Sequence, residues 1–158
     1  MGQALLRLGR TEQAQPYLER AETLQKLEQK VSEAQATAYH FPEDPEKWVA
    51  LANLLVTSGR YDEALNAFRV ALFLVPRSLA LYNDIANLTL AMGDTANAIL
   101  RYRQVLSLDS TFADGWLNLG VAYAQAGERD AARRAWQQAL RFEPGHGEAK
   151  AYLAQLGE

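Results

Sequence analysis

The sequence predicts an all-α solenoid built from antiparallel helix pairs. Three observations predict it: self-similarity at a period of 34 residues, glycines recurring at that period, and apolar residues at helical spacing between them. The stretch from Ala113 to His146 is the clearest unit. Shifted back by 34 residues, and by 34 again, its landmarks coincide. Trp116 falls on Tyr82 and Trp48, Leu119 on Ile85 and Leu51, and Gly120 on Ala86 and Ala52. Gly127 falls on Gly93 and Gly59, and Ala132 on Ala98 and Ala64. Trp136 aligns with Tyr102 and Phe68, Leu140 with Leu106 and Leu72, and Pro144 with Ser110 and Pro76.

Each landmark has a physical reason. Trp116, Leu119, Gly120 and Tyr123 follow helical spacing and predict one buried stripe. Gly120, Ala86 and Ala52 are expected where two helix backbones approach closely. Gly127, Gly93 and Gly59 end the first helix of each pair, where a left-handed residue is needed. Ala132, Ala98 and Ala64 are expected at the crossing of the second helix over the first. Pro144 and Pro76 stop that second helix.

The pattern W-x2-L-[GA]…G…A-x3-[FYW]…P resembles the tetratricopeptide (TPR) repeat, with complete copies at 45–78, 79–112 and 113–146. The resemblance implies a right-handed superhelical solenoid. The middle copy departs most, with Thr89 where Tyr123 stands and Ser110 in place of proline.

In chain order, the first element matches the end of a TPR first helix. At an offset of 50 residues from repeat one, Leu5 matches Leu55, Gly9 matches Gly59, Ala14 matches Ala64, Leu18 matches Phe68 and Ala21 matches Ala71. The start of that helix would precede Met1, so the chain reads as a piece of a longer array. Residues 1–44 form a partial repeat whose second helix is extended. The offset exceeds the period by 16 residues, about 24 Å of helix at 1.5 Å per residue. No glycine interrupts Glu12 to His40, and Pro16 lies near the start, where a lost amide bond is tolerated. Leu24, Leu27, Val31, Ala34, Ala38 and Phe41 make a narrow apolar seam. The seam packs on repeat one, or on a second chain in a homodimer.

Pro42 and Pro45 end that helix, with Asp44 as N-cap and Pro45 as the first helical residue of repeat one. In the second helix of repeat one, Val70 and Phe73 replace Gln104 and Ser107 of repeat two and Gln138 and Arg141 of repeat three. An outward face should be polar, so the long helix or a partner is expected to cover this apolar spot. Polar substitution of both should then lower stability or break an oligomer. Residues 147–158 close the chain as a capping helix, with Ala149, Tyr152, Leu153 and Leu156 inward and Glu148, Gln155 and Glu158 outward.

Composition narrows the function. The net charge is −3, from 16 basic and 19 acidic side chains, which argues against nucleic acid as partner. Cysteine is absent, so neither disulfides nor thiolate metal sites can form. The obvious apolar run, Val70 to Val75, is six residues, far short of the ~18 of a membrane span. No membrane insertion is expected, and the compartment, cytoplasmic or periplasmic, stays open.

Chemistry is sparse. Glu143 and His146 stand three apart, the spacing of a helical metal motif, but Pro144 and Gly145 break the helix and no second copy exists. His40 reads as a loop residue beside Glu43 and Asp44. Gly145-His146-Gly147 lacks the Gly-Lys-Ser/Thr ending of a phosphate loop. Asn87-Leu88-Thr89 matches a glycosylation acceptor but lies mid-helix. Arg101, Arg103, Arg133, Arg134 and Arg141 on second helices read as a solvated face. No catalytic, cofactor or metal residue is expected, and the segment reads as a non-enzyme.

The resemblance implies ligand peptides lying along a groove lined by first helices, the face opposite the buried stripe. In repeat one it gives Glu46, Val49, Ala50, Asn53 and Thr57; in repeat two, Ala80, Asn83, Asp84, Asn87 and Ala91; in repeat three, Asp114, Leu117, Asn118, Val121 and Gln125. The row Asn53, Asn83, Asn87 and Asn118 invites a reason, because asparagine is a poor helix former. An amide donates to and accepts from a peptide backbone at once. Where chaperone-binding TPR domains hold a carboxylate with cations, only Asn53 fits; Val49, Asp84, Ala80, Asp114 and Asn118 occupy the other places. Glu46, Asp84 and Asp114 would repel a carboxylate. The expected partner is a neutral or basic protein segment with an apolar anchor near Leu117 and Val121, and charge reversal at Asp84 and Asp114 should weaken it. Two alternatives remain: the substrate-recruiting arm of a larger enzyme such as a glycosyltransferase, and an RNA-reading helical repeat.

Overall fold

The local signals act as expected on the backbone. Gly9, Gly59, Gly93 and Gly127 all take the left-handed conformation, with φ of 72°, 76°, 84° and 80°. At Gly59, Gly93 and Gly127 the turn is the same Schellman motif. The amide two residues beyond the cap reaches back across it: Arg60 N to Leu55 O (2.9 Å), Asp94 N to Thr89 O (3.2 Å) and Glu128 N to Tyr123 O (2.9 Å). Asp44 caps its helix as anticipated, its side chain accepting from Glu46 N at 2.9 Å, with Pro45 in the first turn.

The structure, a computed structural model, describes residues 2–157. Among these it contains nine helices and no strand. They are α1 (Gly2–Arg7), α2 (Thr11–His40), α3 (Pro45–Thr57), α4 (Tyr61–Leu74) and α5 (Leu79–Ala91). They continue with α6 (Thr95–Leu108), α7 (Ala113–Gln125), α8 (Arg129–Phe142) and α9 (Gly147–Gln155). The expected places of the Leu5 side chain and of Glu158 lie outside the described residues. The chain gathers into two units, one up to Val70 and one from Ala71 onward.

In the first unit α2 is 30 residues long, against 14 in each of α4, α6 and α8. It packs on α1 and α3. Of the apolar seam, Val31 and Ala38 are buried, Leu27 and Ala34 are partly covered, and Leu24 and Phe41 remain exposed. Packing within the chain therefore uses only the middle of the seam. The apolar spot on α4 also divides. Val70 is half-buried and lines a cleft with Tyr39 and Trp48, whereas Phe73 stands 83% exposed.

In the second unit successive helices α5 to α9 pack on one another, and α5 also meets α7. Their core joins Ile99, Tyr102 and Leu106 of α6 with Leu117, Leu119 and Tyr123 of α7, Trp136 of α8 and Leu153 of α9. Ala86, Ala98 and Ala132 lie in it with no exposed surface. Burying one large apolar side chain contributes roughly 1.5–3 kcal/mol.

Two expectations need revision. Gly120 is small because of a side chain, not a neighbouring backbone. A Cβ there would fall within 3 Å of the Trp136 indole, whose Nε1–H donates to Leu117 O at 3.1 Å. Where the ring is Tyr102 or Phe68, the matching position carries alanine, Ala86 or Ala52. Trp116, for its part, is only half-buried. Its indole N–H donates to Ser110 O at 2.8 Å, as Trp48 does to Pro42 O at 2.8 Å and the Tyr82 hydroxyl to Pro76 O at 3.2 Å. The aromatic at this place ties each first helix to the turn before it. The bond uses a backbone carbonyl, so serine serves at 110 as well as proline does at 76.

Candidate functional site

The groove residues of repeat one lie in the first unit. Glu46, Ala50, Asn53 and Thr57 are exposed along α3, and Val49 is half-buried. The Thr57 hydroxyl donates to the backbone carbonyl of Asn53 at 2.9 Å, and the Asn53 side-chain amide has no partner among the described residues.

The second unit contains a hollow of about 270 Å³ between α5, α7 and α9. The expected residues Asn87, Ala91, Leu117, Asn118, Val121 and Gln125 line it. So do four that sequence reasoning left out of the groove: Leu90, Tyr102, Glu148 and Tyr152. Tyr102 was legible as a core aromatic and Tyr152 as part of the capping helix. Nothing in the spacing says that either also reaches a shared hollow. Asn83, Asp84 and Asp114 are not part of its lining.

The asparagine side chains are not all free. Asn83 is 6% exposed, and its Oδ1 accepts from Asn118 Nδ2 at 3.2 Å. The Tyr102 hydroxyl donates to Asn87 Oδ1. Each amide at the hollow is thus held by one end and left with the other. Asn87 keeps its NH2 donor and Asn118 its carbonyl acceptor, neither with another partner among the described residues. Leu117 is 6% exposed and belongs mainly to the core, while Val121 is partly open.

The charged side chain lining the hollow is acidic, Glu148. Burial raises the Asp84 carboxyl above the ordinary aspartate value. Burial first, and the Asp84 charge second, push the Tyr102 phenol up. Neither lysine nor arginine lines the hollow, and Glu148 does. Because the folded pKa of Asp84 is raised, folding is favoured by its protonation. That advantage is complete below the unfolded value near pH 4 and is lost as pH rises through the folded value. Asp84→Asn is therefore expected to raise Tm at pH 7 and to leave it unchanged near pH 3. A thermal melt series over that range checks the sign; a uniform difference at all pH values contradicts it.

A second constellation forms where the α8–α9 turn meets the start of α7. One ligand atom from each of Asp114, Glu143 and His146 lies within 4.8 Å of the others. His146 Nε2 is 3.2 Å from Asp114 Oδ1, so these two already partner each other across 32 residues of sequence. Carboxylate and imidazole are donor types that divalent cations accept. Spacing exposed only Glu143 and His146, because Asp114 joins them through the fold. Elsewhere among the described residues no helix is long and apolar enough to cross a membrane.

The comparisons with known proteins agree with the helical-repeat fold. Residues 1–78 and 89–156 each match a family profile described as tetratricopeptide repeat. The Protein CTR9 homolog of Arabidopsis thaliana is 28% identical over 115 residues, 72% of this chain and 10% of that protein. The Hsp70-Hsp90 organizing protein of Triticum aestivum is 27% identical over 105 residues, 66% of this chain and 18% of its own length. The human Protein O-mannosyl-transferase TMTC3 is 27% identical over 148 residues, 92% of this chain and 16% of that protein. The chain thus spans less than a fifth of each. Among solved structures, MamA superposes with a TM-score of 0.63 at 17% identity, covering 98% of this chain and 81% of that one. The first TPR of Spaghetti (RPAP3), bound to the HSP90 peptide SRMEEVD, gives 0.62 at 19% identity, covering 71% of this chain and 89% of its own.

Proposed function

Because the chain belongs to the tetratricopeptide repeat family, an all-α solenoid class, we propose that it is a protein-interaction module whose second unit holds an extended segment of a partner. The observation that carries this reading is the half-committed amide pair. Asn87 offers a donor and Asn118 an acceptor in one hollow, and a peptide unit needs one of each. Leu90, Val121 and Tyr152 give an apolar side chain somewhere to rest. The segment is neutral or basic. The RPAP3 domain is bound to an acidic peptide, SRMEEVD, whereas the hollow here carries Glu148, and Asp84 and Asp114 lie on two of its helices, α5 and α7.

Binding of fluorescein-labelled Lys-Ser-Leu-Ser-Lys, capped at the C-terminus, tests this by anisotropy on the full chain. Asp114→Lys with Glu148→Lys, both exposed sites, should weaken it by about tenfold or more, the scale of a lost charge pair. Asn87→Ala should weaken it several-fold. Unchanged affinity in both variants overturns the reading. The alignment with the O-mannosyl-transferase TMTC3 over 92% of the chain favours a second reading. There the same groove would recruit substrate for an enzyme whose catalytic part lies elsewhere, and this segment would remain non-catalytic.

A further inference from the structure

Two clefts stand at equivalent places in the repeat, twice the 34-residue period apart, one in each unit. The first, about 360 Å³, is lined by Gln35, Tyr39, Trp48, Glu63, Asn66 and Val70, with Leu51, Leu55 and Ala67 beneath. The second, about 720 Å³, has Arg103, Ser107, Trp116, Ala131, Arg134 and Gln138 at the matching positions. The chief loss is one aromatic ring. Tyr39 meets Trp48 edge-on, with ring centroids 5.5 Å apart, and Trp48 is buried. Ser107 puts no ring there, and Trp116 is left half-buried.

The charge changes with the shape. The first cleft carries one carboxylate, Glu63, and no cation. The second carries two guanidinium groups and no carboxylate. Arg103 is fixed: its Nε–H donates to the Tyr123 hydroxyl at 3.0 Å, and its guanidinium lies over that ring, 5.6 Å from the centroid. Neither of these contacts neutralises its charge. Arg134 is exposed and has no ion-pair partner among the described residues. Phe142, also exposed, supplies a further aromatic wall.

We propose that the cleft between α6, α7 and α8 binds an aromatic side chain flanked by carboxylates, presented by an acidic segment of a partner protein. The ring takes the volume that Tyr39 of α2 helps to fill in the first cleft and stacks beside Trp116. The carboxylates meet Arg103 and Arg134, where charge complementarity and partial desolvation strengthen the contact. A volume of about 720 Å³ lies within the range of ordinary ligand sites. An acidic peptide suits the site better than RNA, because the chain as a whole carries −3 and only two cations line the cleft. The site shares no lining residue with the hollow between α5, α7 and α9, so its occupant is independent of the groove ligand.

The test is amide and indole NMR of the full chain, titrated with the capped pentapeptide Asp-Glu-Phe-Glu-Asp. Saturable shifts are expected at the Trp116 indole and the Ser107 amide, with the Trp48 indole unmoved as an internal control. Arg134→Glu should weaken binding about tenfold or more. Ser107→Tyr, which copies Tyr39, should abolish it; both sites are exposed, and unchanged helical circular dichroism shows that the variants fold. The proposal is overturned if Trp116 does not shift at millimolar peptide, or if Ser107→Tyr binds as well as the parent. It also fails if a single-stranded RNA oligonucleotide shifts Trp116 at lower concentration than the peptide does.

Discussion

Tyr102→Ala is expected to remove about 3–5 kcal/mol of stability, the range for truncating a large buried aromatic. Tyr102 has no exposed surface and heads the fully buried side chains by volume. Its ring sits in the core of the second unit while its hydroxyl donates to Asn87 Oδ1. Tyr102→Phe keeps the ring and deletes only that bond, so it should cost about 0.5–1.5 kcal/mol. Urea unfolding of the two variants separates the terms. A phenylalanine variant as unstable as the alanine variant would mean that the hydroxyl, not the packing, dominates. The phenylalanine variant also has a functional readout. With Asn87 no longer held, binding of the lysine–leucine peptide should weaken several-fold while the fold stays intact.

Gly120→Ala should lose stability even though alanine is the better helix former. The new methyl group would collide with Trp136 Nε1, and the indole is rigid and hydrogen-bonded to Leu117 O. Overpacking of this kind costs about 1–3 kcal/mol, more than the gain of about 1 kcal/mol in helix propensity. The molecule itself indicates the remedy, since repeat one pairs Ala52 with Phe68. Gly120→Ala combined with Trp136→Phe should therefore be more stable than the sum of the single changes implies. A favourable coupling of about 1 kcal/mol or more in a double-mutant cycle is the expected result. Strict additivity would show that the indole does not set the size of residue 120.

These residues show where sequence was sufficient. Glycine at 59, 93 and 127 announces a left-handed turn because only glycine adopts positive φ without a Cβ penalty. Asp44 before Pro45 announces a helix start for equally local reasons. The smallness of Gly120 was visible as well, but its cause was not. The indole that covers it belongs to another helix, and a pattern of spacings does not say which atoms meet. Trp116, expected in the buried stripe, is half-buried, its indole N–H tied to a carbonyl in the preceding turn.

The groove was legible as a face and not as a set of free groups. Helical periodicity placed Asn87, Asn118, Val121 and Gln125 together, and the hollow gathers them. It could not show that Asn83 is buried against Asn118, or that a core tyrosine reaches out to Asn87. Nor could it bring Asp114 to His146, or distinguish the cleft at Ser107 from the one narrowed by Tyr39.

The sequence alone determined the repeat, the helix ends and the sides of each helix that turn inward, because these follow from backbone conformation and a 3.6-residue period. Only the tertiary structure decided which polar groups remain open to a partner. A hydrogen bond between residues 15 or 35 apart, such as Tyr102 to Asn87 or Asn118 to Asn83, depends on how helices pack, and that distance is written in no local pattern.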